Sequence, residues 1–511
     1  MSDKSFPVPS QAERRRAARC KPVNRQQLLL RSVDVEKLVE EDHPVRAIWE
    51  LVEGADLEPF YEAIEAVEGE AGRSAWDPRV LISLWLYAYS RAVSSAREMA
   101  RRCEYDPAYQ WVTALEVINH HTLSDFRVQH ERALDELFVQ VLGVLSHEGL
   151  ISLERVMHDG VKVEAGASDK SFRRQGTLER HLELARQQVK EMKEKEEEVC
   201  GSEVSERRAK ARERALREKK ERLESAWREL KRIQEGQSSP EKRQKARAST
   251  TDPEARIMPQ PGGGFAPSYN LQISTDAQAT VIVGLGVSQA ANDAAELIPA
   301  VERIEANLGQ VPQQMVVDGS FINQQNLVEM ESRKIEVIGP VPDHGSQTGA
   351  ALQKRGVAPE FFPDAFVYDA QRNRYTCPAG QELAYEAEEK RGFSVRHRYR
   401  ARMGDCQGCG FKGQCCPESK VRSLVRTEEP AELKAHRQKM ETESARTIYK
   451  QRPQVAEFPN AWIKEKFGLR QFRLRGLIKV RMEALWACLT YNICQWIRLC
   501  WKPKLAVSVA S

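Results

Sequence analysis

Between Arg186 and Glu235, 29 of 50 residues are charged, 16 basic and 13 acidic. Such a segment has too little apolar surface to join a globular core, yet the sequence on either side of it is apolar enough to build one. Any sheet this chain forms is therefore opened by an insertion. Within it Leu178, Leu182, Ala185, Val189 and Met192 step by four and three, and Leu216, Leu223, Trp227, Leu230 and Ile233 form a second apolar series beyond Gly201-Ser202. This predicts an antiparallel helical hairpin with a narrow apolar seam, in an insertion over 168–264. Gly262–Gly264 is followed by neither Gly-Lys-Ser/Thr nor a helix start, so it is a return loop and not a phosphate cradle.

The flanking sequence alternates short apolar runs with amphipathic segments. Candidate strands are Leu153–Asp159, Tyr269–Ser274, Thr280–Val287, Met315–Asp318 and Ile335–Val341, with candidate helices at Asp293–Leu308 and Asn323–Ser332. Hairpin-linked strands followed by strand–helix alternation predict one mixed α/β sheet covered by helices, drawn from 151–167, 265–345 and 440–500. A second insertion, 346–439, is rich in turns and cysteine. Residues 32–150 read as an all-α domain, in which Ser94 and Ser95 cap a short helix and Thr122–Asp125 has capping-box form. A capped helix carrying Arg127 and His130 after two linked helices fits a DNA-binding helix-turn-helix variant, the alternative being a plain helical bundle. Residues 501–511 form a tail.

With 41% hydrophobic residues the chain is not wholly disordered. The longest apolar run, Ala484–Cys500, is broken by Asn492, Gln495 and Arg498, which excludes a membrane span. The first 25 residues hold charge and proline instead of an apolar signal, so no secretion signal and a cytoplasmic location are expected. The net charge of +4 hides segregation: residues 1–31, a basic arm, hold eight Lys/Arg against two acids; 390–426 hold ten against two; 462–481 hold seven against one; and 34–70 hold thirteen acids against two bases. Separated basic stretches suggest a polyanionic partner met by chosen faces.

Two acids stand where strands are expected to run out, Asp159 in Val156-Met-His-Asp-Gly160 and Asp318 in Met315-Val-Val-Asp-Gly319. Carboxylates on rigid backbone at the mouth of a sheet suit a hard divalent cation, whereas Asp-Gly is also an ordinary turn. A third acid follows in the C-terminal segment, where Tyr449, Arg452, Glu457 and Lys464 lie together; Glu483 is its rival in a more apolar setting.

These four residues resemble the Tyr-Arg-Glu-Lys signature of DDE transposases from bacterial insertion sequences. The first and last spacings agree with the signature. Four residues between Arg452 and Glu457 are one more than the family places there. Trp76–Tyr87, Ile118–Arg127, His158–Lys162, Pro267–Gln272 and Gly468–Val480 resemble the insertion-sequence family numbered 1182, over about residues 30–500. The resemblance implies a ribonuclease-H-like core with its first and fourth strands adjacent. It implies catalysis by Asp159, Asp318 and Glu457 through two Mg²⁺ (or Mn²⁺) ions, and backbone contacts to double-stranded DNA from Tyr449, Arg452, Lys464, Arg127, Arg470 and Arg473. The partners would be the element's ends and its target, bound by a homodimer. A catalytically inactive DNA-binding relative and a nuclease without strand transfer are the alternatives.

Five of the eleven cysteines fall between Cys377 and Cys416. Cys406-Gln-Gly-Cys409, with Cys377 upstream and Cys415 downstream, could close a structural zinc site. Unbound thiols and a redox pair are the other readings of Cys377, Cys406, Cys409 and Cys415.

Overall fold

The computed structural model describes residues 32–64, 74–196, 203–342, 344–391 and 394–510; the basic arm, Gly201-Ser202 and Phe393 lie outside them. The N-terminal segment is helical: α1 (Pro44–Glu53), α2 (Pro78–Ser90), α3 (Ala96–Tyr105), α4 (Pro107–Thr113), α5 (His120–Gln129) and α6 (Glu131–His147). Their starts are chemically marked. Asp77 accepts from Arg79 N and Pro78 occupies the first turn of α2, where its missing N–H costs nothing. Ser95 accepts from Glu98 N at α3. At α5 the cap is Asn119, which accepts from His121 N, and not the expected Thr122; the cap lies three residues earlier because the Asn side chain already satisfies a free amide.

The main sheet is β1 (Arg155–Glu164), β2 (Arg256–Pro259), β3 (Phe265–Asp276), β4 (Val281–Ser288), β5 (Gln314–Val316) and β6 (Glu336–Ile338). β3 pairs with β1, β2 and β4, each antiparallel; β1 runs parallel to β5, and β5 parallel to β6. Without β2, the lateral order is β4, β3, β1, β5, β6. All five candidate strands and both candidate helices are present, as α9 (Leu297–Leu308) and α10 (Gln324–Ser332). The first insertion forms α7 (Gln175–Glu196) and α8 (Glu203–Glu235), closed by a small core of Leu178, Leu182, Ala185, Leu223, Ala226 and Leu230.

The cysteine-rich insertion departs from expectation. It builds a second, five-stranded antiparallel sheet: β7 (Val367–Asp369), β8 (Arg374–Thr376), β9 (Glu382–Arg391), β10 (Ser394–Ala401) and β11 (Ser423–Thr427), in sequential order. Part of its positive charge is answered within the sheet. Arg398 pairs with Glu389, and Arg400 with Glu386 at 2.9 Å, from acids on the adjacent strand. Cross-strand pairing, invisible to a count along the sequence, thus engages two of the ten basic residues of 390–426.

The chain returns through α11 (Ala431–Met440), α12 (Glu443–Lys450) and α13 (Phe458–Glu465) to the long α14 (Leu477–Trp496). α14 packs against β4, α2 and α6, so the N-terminal helices and one face of the sheet share one continuous core. α9 covers the other face of β4. The polar residue that breaks the apolar run has a specific task. Asn492, fully buried, accepts from Ile282 N at 2.9 Å and donates to Ile282 O at 2.8 Å, acting as an extra rung on the edge of β4. Among the described residues no helix is long and apolar enough to cross a membrane.

Replacing Asn492 with Leu leaves both Ile282 backbone groups buried and unpaired. The expected loss of stability is about 2–4 kcal/mol, read from urea denaturation, with little change in secondary structure.

Candidate active site

β1 and β5 set the geometry. Their parallel register pairs Met157 with Val316, and each acid lies two residues further along its own chain, Asp159 on β1 and Asp318 just past β5. Parallel pairing therefore carries both carboxylates to the same rim of the sheet. Asp159 does not end its strand, as the Asp-Gly pattern suggested; β1 runs on to Glu164. Gly160 is required for space instead of for a turn, since a Cβ there would lie 2.4 Å from Asp293 Oδ1 and 2.5 Å from Gln272 Nε2. Asp318 does cap a turn, accepting from Ser320 N at 2.7 Å and Ser320 Oγ at 2.5 Å.

The third element is the helical path from α12 to α13. Its apolar side, with Ala445, Val455 and Ala456, packs on Met157, Val316 and Ile338 of the three parallel strands. Between the two helices Pro453–Glu457 forms a π-turn. A π-turn absorbs one residue beyond the α-helical repeat, and Pro453 and Pro459 each remove an N–H from the regular ladder. The extra residue between Arg452 and Glu457 falls within this π-turn, and Arg452 still reaches Asp159. Arg452 Nη2 donates to Asp159 Oδ1 at 2.7 Å, while its Nη1 lies 3.9 Å from Glu457 Oε1. Asn460, which no sequence signal marked, donates to Asp159 Oδ2 at 3.1 Å. Both Asp159 oxygens are therefore engaged.

Burial pushes the Asp159 carboxyl up to about 6, against the pull of Arg452 and with a further upward push from Asp318. Glu457 is far more open, with 60% of its side chain exposed against 17% for Asp159. Tyr449 is half-buried; burial raises its phenol, Arg452 opposes this, and the charges of Asp318, Asp159 and Glu457 add to it. Lys464 Nζ donates to Lys162 O at 3.3 Å, and burial, then Arg470, lowers its pKa. Arg470 and Arg473 stand exposed on the loop that follows. As the side chains stand, no three His, Cys, Asp or Glu groups among the described residues surround a point closely enough to hold an ion. The donor set at the rim is nonetheless all carboxylate oxygen, which fits a hard cation such as Mg²⁺.

The opposite face of β1 carries a polar network that the sequence reading missed. His158, fully buried, meets Ser274 Oγ at 2.9 Å and Gln272 Oε1 at 2.8 Å. Asp293 accepts from Asn270 at 2.6 Å, Gln272 at 2.7 Å and Lys162 at 3.2 Å. The available signal was Asn270, Gln272 and Ser274 at every second position of one strand.

Two sequence candidates take structural roles. Arg127 is 5% exposed, donates to Ser94 O at 2.9 Å and lies over the Trp85 ring at 4.8 Å, so it is a buried clamp and not a surface contact to DNA. The length of its side chain lets it span from α5 back to the end of the α2–α3 loop. Glu483 is fully buried and accepts from Arg473 N and Leu474 N at 3.0 and 2.9 Å. Burial raises its carboxyl while Arg127 pulls it back down. Glu483 pins a loop and does not join the acids at the rim.

Residues 376–497 match the family model described as "Transposase DDE domain", and residues 33–129 match "Transposase domain (DUF772)". The first match includes Tyr449, Arg452, Glu457 and Lys464; Asp159 and Asp318 lie outside both. No curated protein matches the chain. A cryo-EM structure of a piggyBac transposase synaptic complex with hairpin DNA is similar at 9% identity, over 91% of this chain and 73% of that one, with a TM-score of 0.29, too low to carry an argument. The two domain matches support transposase function.

The buried position of Arg127 makes a measurable difference. Arg127→Ala should cost about 2–3 kcal/mol in urea unfolding, because it leaves the buried Ser94 O unpaired and a void beside the Trp85 ring. The salt dependence of DNA binding should not change, as no phosphate contact is lost.

Proposed function

We propose that this chain is a DDE transposase with a ribonuclease-H-like core, related to the insertion-sequence family numbered 1182, which cleaves DNA at the inverted ends of its element and joins the freed 3′ hydroxyl to target DNA. One observation carries the reading. Asp159 and Asp318 stand at equal offsets on adjacent parallel strands, and Arg452 reaches from Asp159 towards Glu457 on the helix above. The lateral order β4, β3, β1, β5, β6 supports the fold, and the two transposase domain matches support the activity.

Asp159, Asp318 and Glu457 would hold Mg²⁺ or Mn²⁺, which when bound supplies Lewis-acid charge at the scissile phosphate. The chain's own residues then have separable tasks. Arg452 and Asn460 fix both oxygens of Asp159, so the carboxylate keeps one orientation on the rim. Arg452 also offsets the repulsion among three acids. Lys464, which feels the charge of Asp159, and the exposed Arg470 and Arg473 on the loop after it would contact the DNA backbone, and contacts of this kind position the duplex without reading its sequence. Tyr449 borders the acids from α12. Pairing two element ends calls for two such sites, hence a homodimer on DNA.

Asp159→Asn, Asp318→Asn and Glu457→Gln should each abolish cleavage of end-sequence DNA in Mg²⁺ while binding persists, and Glu483→Gln should lower stability instead. Incubation with a target plasmid separates the alternatives. Strand-transfer products support the transposase, cleavage without joining indicates a nuclease, and binding with neither overturns both.

A further inference from the structure

The second sheet ends in a pocket lined by cysteines, and nothing in the transposase reading uses it. Its strands alternate direction, so the β8–β9 turn and the long β10–β11 connection emerge at the same end. The first carries Cys377 and the second carries Cys406, Cys409, Cys415 and Cys416. All five line one pocket with Phe361 and Arg422. They come together from positions up to 39 residues apart because the meander folds both turns to one edge.

The local backbone is shaped around sulfur. Cys377-Pro-Ala-Gly380 is a tight knuckle: Gly380 N donates to Cys377 O at 2.8 Å, Cys377 N to Gln381 O at 2.8 Å, and Gln381 N to Cys377 Sγ at 3.2 Å. Gly380 sits at φ +78°, a conformation that side chains other than glycine's strain to adopt. In the second turn Arg422 N approaches Cys406 Sγ at 3.5 Å. Backbone N–H groups thus point at two of the sulfurs. A buried cation stands beside them: Arg422, 7% exposed, donates to Cys415 O at 3.1 Å and to Phe361 O at 2.8 Å.

We infer that Cys377, Cys406, Cys409 and Cys415 bind a structural zinc ion that closes the open end of the second sheet. Four soft thiolates from two short turns are the ligand set zinc takes in closed structural sites. Cys415 is chosen over its neighbour because it is buried in the cluster against which Cys377 and Cys406 pack, and Cys416 stands outside that cluster. Among the described residues no three of these thiols stand at coordination distance, so binding requires the side chains to turn into the pocket they line. Each thiol entering the site loses its proton to solvent, and Arg422 offsets part of the negative charge. The sheet needs such a clasp because its own core is small, chiefly Val357, Phe361, Phe366, Leu383, Tyr399 and Leu424.

The inference is independent of the catalytic reading and is tested without activity. The full chain, purified from zinc-supplemented culture, should contain about one zinc per chain by elemental analysis. Cys377→Ser, Cys406→Ser, Cys409→Ser and Cys415→Ser should each lose most of it, and Cys416→Ser should keep it. Should the serine variants fail to fold, chelation of the wild-type chain decides: about four thiols should become newly reactive to a thiol reagent as zinc leaves. A zinc content below about one-tenth per chain overturns the inference. So does full retention by Cys406→Ser, or chelation that exposes no thiol.

Discussion

The candidate site depends on keeping a buried carboxylate usable. Asp159 sits near the middle of β1, mostly out of water, where ionisation is costly and its carboxyl rises to about 6. Arg452 counters that cost with a direct hydrogen bond, and it can do so only because the helical path above lies flat on the three parallel strands. Met157, Val316 and Ile338 lie below, and the short side chains of Ala445 and Ala456, with Val455, let the helical path approach the sheet. The packing of six apolar side chains thus decides where a guanidinium meets a carboxylate. The π-turn is part of the same arrangement, because it lets one residue be added to the helix without rotating Glu457 away from Arg452.

The rest of the chain supports that rim. α14 joins the N-terminal helices to β4, with Asn492 holding the strand's buried edge and Glu483 holding the loop that presents Arg473. The two insertions leave from positions that do not disturb the β1–β5 pair. One forms its own apolar seam, and the other its own sheet. Each can therefore differ in charge and composition from the core it interrupts.

Much of the fold was legible. The order of strands and helices in the core followed from apolar periodicity, and the helical hairpin from steps of four and three along Leu178–Ala185 and Leu223–Leu230. The acids were marked by their place at apolar runs. Other features were not legible, each for a physical reason. Asn460 is an ordinary helix residue until α13 is laid against β1. Arg127 has the same sequence appearance whether it is buried over Trp85 or exposed to a phosphate. The arginines of β10 count as free charge along the chain, and lose that freedom when Glu386 and Glu389 come alongside.

The sequence by itself determined which segments could be strands and helices, because periodicity and capping act over a few residues. It also supplied the acids and the cysteines as chemical types. Only the tertiary structure decided which of them meet. Parallel pairing of β1 with β5 brings Asp159 and Asp318 to one rim across 159 positions of chain. The meander of the second sheet brings two distant turns to one edge. Such meetings depend on strand register and on the burial of side chains from remote elements, and a local pattern carries no record of either.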